Sequence, residues 1–338
     1  MGRERPNSQG KYLIGVDVGG TNVRAGLVDF DGKVGADTRR PARAQEGMRV
    51  SVQMAVEAVR ELLAQQGLRK EEVCGIGLAV AGGHRSEEGI CLFSPNFAGP
   101  FPVPILAPVE EALGIAAYML NDVNTATLGE HRFGAGRGYD HMVMITLGTG
   151  IGGGAIIDGK LRIGPTEGFA EVGHMILDPE GPLCGCGNHG CWEALAARDA
   201  IIRRAISAIQ GARSSIMLDL AEGDCGRITP SLLAEAAEKG DELARGVLEE
   251  TGFWVGVGCV NLITLYNPQV LVIGGGIAGA LSFMQPTIQR VVDTRARMVP
   301  AKTCKIVPSL LGDDAGIIGG AVLVLQRMEE ARGGPASG

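Results

Sequence analysis

The chain has 338 residues, 45% hydrophobic and 20% charged, with a formal net charge of −7. That balance excludes extended disorder, and the acidic surplus argues against a general nucleic-acid binder, which carries a basic face. No apolar run reaches membrane-spanning length, and the polar first ten residues lack the apolar core of a secretion signal, so neither a membrane nor an exported protein is expected.

In chain order, residues 11–18 (KYLIGVDV) read as a buried strand running into Gly19-Gly20-Thr21-Asn22, after which an apolar segment closes on the Asp31-Gly32 turn. A helical stripe through Val52, Val56, Val59 and Leu62 ends at Gly67, and residues 74–83 form a second buried strand. A proline-rich loop (94–105), a short helix (107–113) and a strand (116–120) lead to Asn121-Asp122, either of which suits the cap of the next helix. Residues 141–160 repeat the opening design of buried strand, Gly-Thr-Gly turn, apolar strand and Asp-Gly turn, which implies two related halves. Helices follow at 192–210, 230–250 and 251–265, then a strand into a glycine turn (268–278), and a strand, loop and closing helix (304–330). Alternating strands and helices predict an α/β fold of two lobes with a cleft between them.

Cys184, Cys186 and Cys191 stand in a C-x-C-x4-C array, with His174 ten residues before the first of them. Three thiolates and an imidazole are the ligand set of a closed, four-coordinate zinc site, a structural rather than a Lewis-acid metal. Glu171 and Glu193 flank the segment, and the pattern does not say what they hold. The other five cysteines are scattered and odd in number, which fits reduced thiols and a cytoplasmic location. His84, His131, His141 and His189 read as surface or loop histidines, and Trp192 and Trp254 as packing residues.

Residues 147–153 satisfy G-x-G-x-x-G, but strand and turn follow where a dinucleotide fold needs a helix. Either glycine turn alone is compatible with an ordinary hairpin. Together, each with a threonine after glycine and each ending a buried strand, they read as backbone loops facing a polyphosphate, with Thr21 and Thr149 adding hydroxyls. Asp17 suits a water-mediated Mg²⁺ contact, its alternative being a turn-capping carboxylate. Asp122 reads equally as a helix cap and as the base that a sugar hydroxyl needs at a strand's carboxyl end.

DVGGTN (17–22), ND (121–122), LGTGIGGG (147–154), EVGH (171–174), CGCGNHGCWE (184–193) and LVIGGG (271–276) together resemble the ROK family of repressors and sugar kinases. The resemblance implies the actin-like, ribonuclease H-like ATPase fold and ATP with Mg²⁺ as phosphoryl donor. Asp17, Gly19, Gly20, Thr21, Asn22, Gly148, Thr149 and Gly150 are then the phosphate and magnesium residues, and Gly275 and Gly276 lie near adenosine. It also implies Asp122 as base, with Asn96, Asn121, Glu171, His174 and Glu193 as sugar contacts. Among the family, the chain looks most like bacterial glucokinases, so glucose or a related hexose is the expected partner. N-acetylmannosamine kinases and fructokinases share most of the motifs, and a sugar-binding regulator without turnover is the alternative class. Repressors of the family carry a helix-turn-helix domain before the first glycine hairpin, for which ten polar residues are too few. The expected organisation is a small lobe of residues 11–120 with 311–330, a large lobe of 121–310 holding zinc segment 171–193, and disordered tails at 1–10 and 331–338. A homodimer or homotetramer is the expected assembly.

Overall fold

A computed structural model describes residues 6–211, 214–299 and 303–333. In chain order these form β1 (Tyr12–Val18), β2 (Asn22–Val28), β3 (Val34–Pro41), α1 (Met48–Gln66), β4 (Val73–Val80), β5 (Gly83–Arg85), β6 (Ile90–Phe93) and β7 (Val103–Pro104). There follow α2 (Leu106–Leu113), β8 (Ala117–Asn121), α3 (Asp122–Phe133), β9 (Met142–Leu147), β10 (Ile151–Ile157) and β11 (Lys160–Arg162). The rest is α4 (Trp192–Ala196), α5 (Arg198–Gln210), α6 (Met217–Leu220), α7 (Pro230–Glu238), α8 (Glu242–Tyr266), β12 (Val270–Gly274), α9 (Leu281–Arg295), β13 (Lys305–Pro308) and α10 (Ala315–Ala331).

Two five-stranded sheets have matching orders, β3-β2-β1-β4-β8 and β11-β10-β9-β12-β13, so the repeat read in the sequence is a repeat of topology. Each sheet joins an antiparallel edge to parallel strands, β1 with β4 and β8 in one, β9 with β12 and β13 in the other. β5, β6 and β7 make a small third sheet.

The chain divides into two compact units: one runs through Asp140 and adds Gly154–Phe169 and the residues from Leu310, and the other is His141–Gly153 with Ala170–Ser309. Unit one therefore takes α3, beyond the expected boundary at residue 120, because α3 packs along α10: an added Cβ at Gly319 would lie 1.8 Å from Thr125 O, and at Gly129 2.8 Å from Ala315 O. All eight residues of β4 are buried, the continuous apolar run of a strand covered on both faces. Ile14, Val16, Ile76 and Leu78 share one core with Val52, Val56 and Leu62 of α1. The alternate residues Gly15 and Gly77 face α10, where an added Cβ would meet Ile317 O at 1.8 Å and Gly320 O at 1.9 Å.

In unit two, α8 packs on α9 through Gly252 and Gly256, and the Trp192 indole is fully buried against Gly258. Trp254 packs edge-on to Phe253, with ring centroids 5.3 Å apart.

Several local expectations are corrected. The 192–210 helix breaks at Ala197, which is extended. The next break falls at 239–241 rather than at 250, because Asp241 caps α8 by accepting from Ala244 N–H, 2.8 Å. Residues 7–10 are not a loose tail, since Asn7 N–H donates to Cys74 O, 2.7 Å, extending the contacts of β4. At the other end only 331–333 of the expected tail are described, and 1–5 and 334–338 lie outside the described residues. His84 is buried in β5 rather than exposed. Burial lowers its pKa to about 4, and its Nε2 has no hydrogen-bond partner. His189 is an exposed loop residue as expected, and His131 is half-buried with Nε2 against Tyr139 O. Among the described residues no helix is long and apolar enough to cross a membrane.

Candidate functional site

In unit one the parallel register sets Asp17 beside Ala79 of β4 and Ala79 beside Leu120 of β8. Asp17 and the Asn121-Asp122 pair thus emerge at the same end of one sheet, two strand spacings or about 10 Å apart. Burial and the Asp122 carboxylate push Asp17 up to about 6; Arg24 opposes the shift and Asp313 adds to it. The turn after β1 is closed by Gly19 N–H on Asn22 O, 3.0 Å, which leaves Gly20, Thr21 and Asn22 exposed. Exposed Asn96 lies against it, with an added Cβ at Gly20 only 3.4 Å from its own Cβ.

The cap of α3 is Asn121, not Asp122. Its Oδ1 accepts from Val123 N–H (2.9 Å) and Asn124 N–H (3.3 Å), while its Nδ2 donates to Gly82 O (3.2 Å). Asp122 is the first residue of the helix, where the N-terminal dipole favours a carboxylate.

Arg24 is a site-adjacent residue that the sequence reading does not single out. It pairs in register with Asp17 and hydrogen-bonds Asp37 (2.7 Å) and Asp314 (2.6 Å). Its signal is a lone cation in an otherwise apolar strand, opposite a strand-end carboxylate.

In unit two, the turn after β9 is closed by Gly148 N–H on Gly150 O (2.9 Å), and Arg198 N–H at the start of α5 donates to Gly148 O (3.0 Å). Gly275, in a left-handed conformation (φ 92°), packs where an added Cβ would lie 2.4 Å from Leu147 O, and Ile277 N–H donates to that oxygen. The structure so brings residues 148–150 and the exposed Gly275-Gly276 turn together, as strands β9 and β12 require. A cavity of about 180 Å³ opens beside Gly276, walled by α7 through Ala234, Glu235 and Glu238. A hollow of about 860 Å³ in unit one, between the ends of α3 and α10, is lined by none of the motif residues.

Val172–His174 is a single 3-10 turn preceded by exposed Glu171. The four residues read as metal ligands converge: His174, Cys184, Cys186 and Cys191 present atoms all within 4.8 Å of one another. Cys184 Sγ is 3.8 Å from His174 Nδ1, and Cys186 Sγ is 3.6 Å from Cys191 Sγ. Tetrahedral zinc with bonds of ~2.3 Å to sulfur and ~2.0 Å to nitrogen places its ligand atoms ~3.5–3.8 Å apart, so this donor set fits the ion. Burial pushes the Cys191 thiol up to about 12, and Cys184 is raised for the same reason. A divalent cation is what would hold these sulfurs as thiolates. Glu193, in the first turn of α4, bridges the cluster and the glycine turn: Oε2 accepts from Ile151 N–H at 3.1 Å, and Oε1 accepts from Cys184 Sγ at 3.7 Å.

The ROK family model matches residues 13–327. The chain belongs to the ROK family. It is 37% identical to a glucokinase of Thermotoga maritima over 320 residues, covering 94% of this chain and 98% of that protein. It is 32% identical to a glucokinase of Streptomyces coelicolor, covering 92% and 96%. A ROK family glucokinase from Streptomyces griseus, crystallised with glucose and AMPPNP, superimposes with a TM-score of 0.81 at 33% identity, covering 93% of this chain and 99% of its own. The chain has the two-lobed actin-like ATPase fold of such kinases.

Proposed function

We propose that the chain transfers the γ-phosphoryl group of ATP to the 6-hydroxyl of glucose. The similarity to glucokinases of two organisms over nearly the whole chain supports the reaction class and the sugar. The observation that carries the residue assignment is the division of labour at the start of α3. Asn121 supplies the cap, so the helix does not depend on Asp122 for it.

Asp122 takes the proton of the 6-hydroxyl as that oxygen bonds to the γ-phosphorus and the bond to the β–γ bridging oxygen breaks, releasing ADP. Backbone N–H groups of the two glycine turns, with Thr21, Asn22 and Thr149, hold the phosphates, and the nucleoside lies by Gly275 and Gly276. Asn96, Asn121, Glu171, His174 and Glu193 contact the sugar. Mg²⁺, held near Asp17 through water, would supply charge neutralisation on the transferred group. His174, Cys184, Cys186 and Cys191 would close the coordination of zinc and fix the segment that carries Glu171 and Glu193. With one ring nitrogen of His174 on the metal, the other is oriented toward a sugar oxygen.

The test is ADP release with glucose, mannose, fructose and N-acetylmannosamine at one fixed MgATP concentration. Glucose should give the highest kcat/KM. Mannose should fall about ten- to a hundred-fold lower, the effect of one buried polar group left unpaired at about 1–3 kcal/mol. A lead for N-acetylmannosamine would overturn the sugar assignment, and ADP release with none of the four would overturn the kinase reading.

A further inference from the structure

Glu193 sits where three features of unit two meet. It follows the ligand Cys191 by two residues, and Oε1 of its carboxylate faces Cys184 Sγ at 3.7 Å. Oε2 accepts from Ile151 N–H, the first backbone donor after the glycine turn at 148–150. Gly150 is shaped to that carboxylate, because an added Cβ there would lie 2.2 Å from Oε2. The same elbow between α4 and α5 grips the other side of the turn through Arg198 N–H on Gly148 O. A sugar contact alone would require none of this; a carboxylate bonded to the turn's own backbone fixes the turn.

We infer that Glu193 is a positioning residue for the nucleotide-phosphate turn, and that it couples the metal-binding segment to nucleotide affinity. The inference rests on the proposed function in placing the nucleotide phosphates at residues 148–150 and a metal at His174 and the cysteines. Metal held by His174 and the cysteines would fix the start of α4 through Cys191. Two further links tie the same strand of chain down: Trp192 N–H donates to Met175 O, and the Trp192 ring is fully buried. With α4 fixed, the Glu193 carboxylate holds Ile151 N–H, and the turn keeps its shape. Loosening the metal segment then loosens the turn.

The experiment measures AMPPNP binding calorimetrically with Mg²⁺ and no sugar present, on zinc-loaded wild type, Glu193→Ala, Glu193→Gln and chelator-treated wild type. Glu193→Ala should weaken AMPPNP about five- to thirty-fold, the effect of one lost bond to a buried backbone donor. Glu193→Gln should stay within about three-fold of wild type, because its amide oxygen still accepts from Ile151 N–H. Its glucose KM should nevertheless rise, separating the two roles of the side chain. Chelation should weaken AMPPNP in wild type and add little to Glu193→Ala. AMPPNP affinity unchanged in Glu193→Ala, with glucose binding lost, would overturn the inference and leave Glu193 a sugar contact only. Equal loss in the Ala and Gln variants would overturn it too, by tracing the effect to charge. Wild type that binds no AMPPNP would instead overturn the proposed function.

Discussion

Replacing Asp17 by asparagine should stabilise the fold while abolishing its proposed use. The folded-state pKa of Asp17 is pushed from 3.8 to about 6 by burial and by Asp122, with Arg24 only partly offsetting them. A carboxyl whose folded pKa is raised binds its proton more tightly in the folded state. Its contribution is therefore most favourable below the unfolded value and is lost as pH rises through about 6. Above that pH the ionised group opposes folding by about two pKa units, at ~1.4 kcal/mol each, or about 1–3 kcal/mol after allowing for the partial exposure of Asp17. Asparagine removes the charge and keeps the shape. Urea unfolding of both proteins in Mg²⁺-free buffer from pH 5 to pH 8.5 measures the difference. The variant should gain that 1–3 kcal/mol at pH 8, progressively less on acidification, while its MgATP-dependent turnover collapses. Equal stability at pH 8, or an advantage that grows toward pH 5, would refute the electrostatic account.

Other perturbations address the packing and the metal. Gly77→Ala puts a methyl group within about 2 Å of Gly320 O, so β4 and α10 must part; a loss of about 1–3 kcal/mol or more is expected in the urea midpoint. Gly67→Ala, at a left-handed helix end with open space around it, should cost only about 1 kcal/mol and serves as its control. Protein purified without chelator should contain one zinc per chain by elemental analysis. Cys191→Ala should lose that zinc, unfold at lower temperature and show a raised glucose KM; full metal content in this variant would contradict the ligand set.

The parts of the fold that are legible in the sequence are those that local chemistry dictates. The β1 and β9 strands show because each is an apolar run ended by a glycine turn, and the cluster of His174 with three cysteines shows because its members are close in sequence. What stays hidden depends on contacts across the chain. His84 looks like a loop histidine in GGHRSEEG, yet pairing of β5 with β6 buries it opposite Cys91. Asn7 reads as part of a polar tail until the backbone of β4 is there to receive it. The choice between Asn121 and Asp122 as cap is undecidable from composition, since both side chains suit that position. It is settled in the fold by the Asn121 amide, which finds Gly82 O in the short link after β4 while its oxygen caps α3. Likewise the attachment of Glu193 to Ile151 joins residues 42 apart, and no spacing rule anticipates it.

The most direct test of the account is Asp122→Asn, with turnover and glucose affinity measured on the same preparation. Asparagine has the size of the carboxylate and cannot take a proton, and the Asn121 cap is untouched by the change. Turnover should fall by about 10²–10⁴, the usual effect of a lost general base, while glucose binding by calorimetry stays within a few-fold. Retention of more than about a tenth of wild-type turnover would show that Asp122 is not the base and that the phosphoryl acceptor is activated elsewhere.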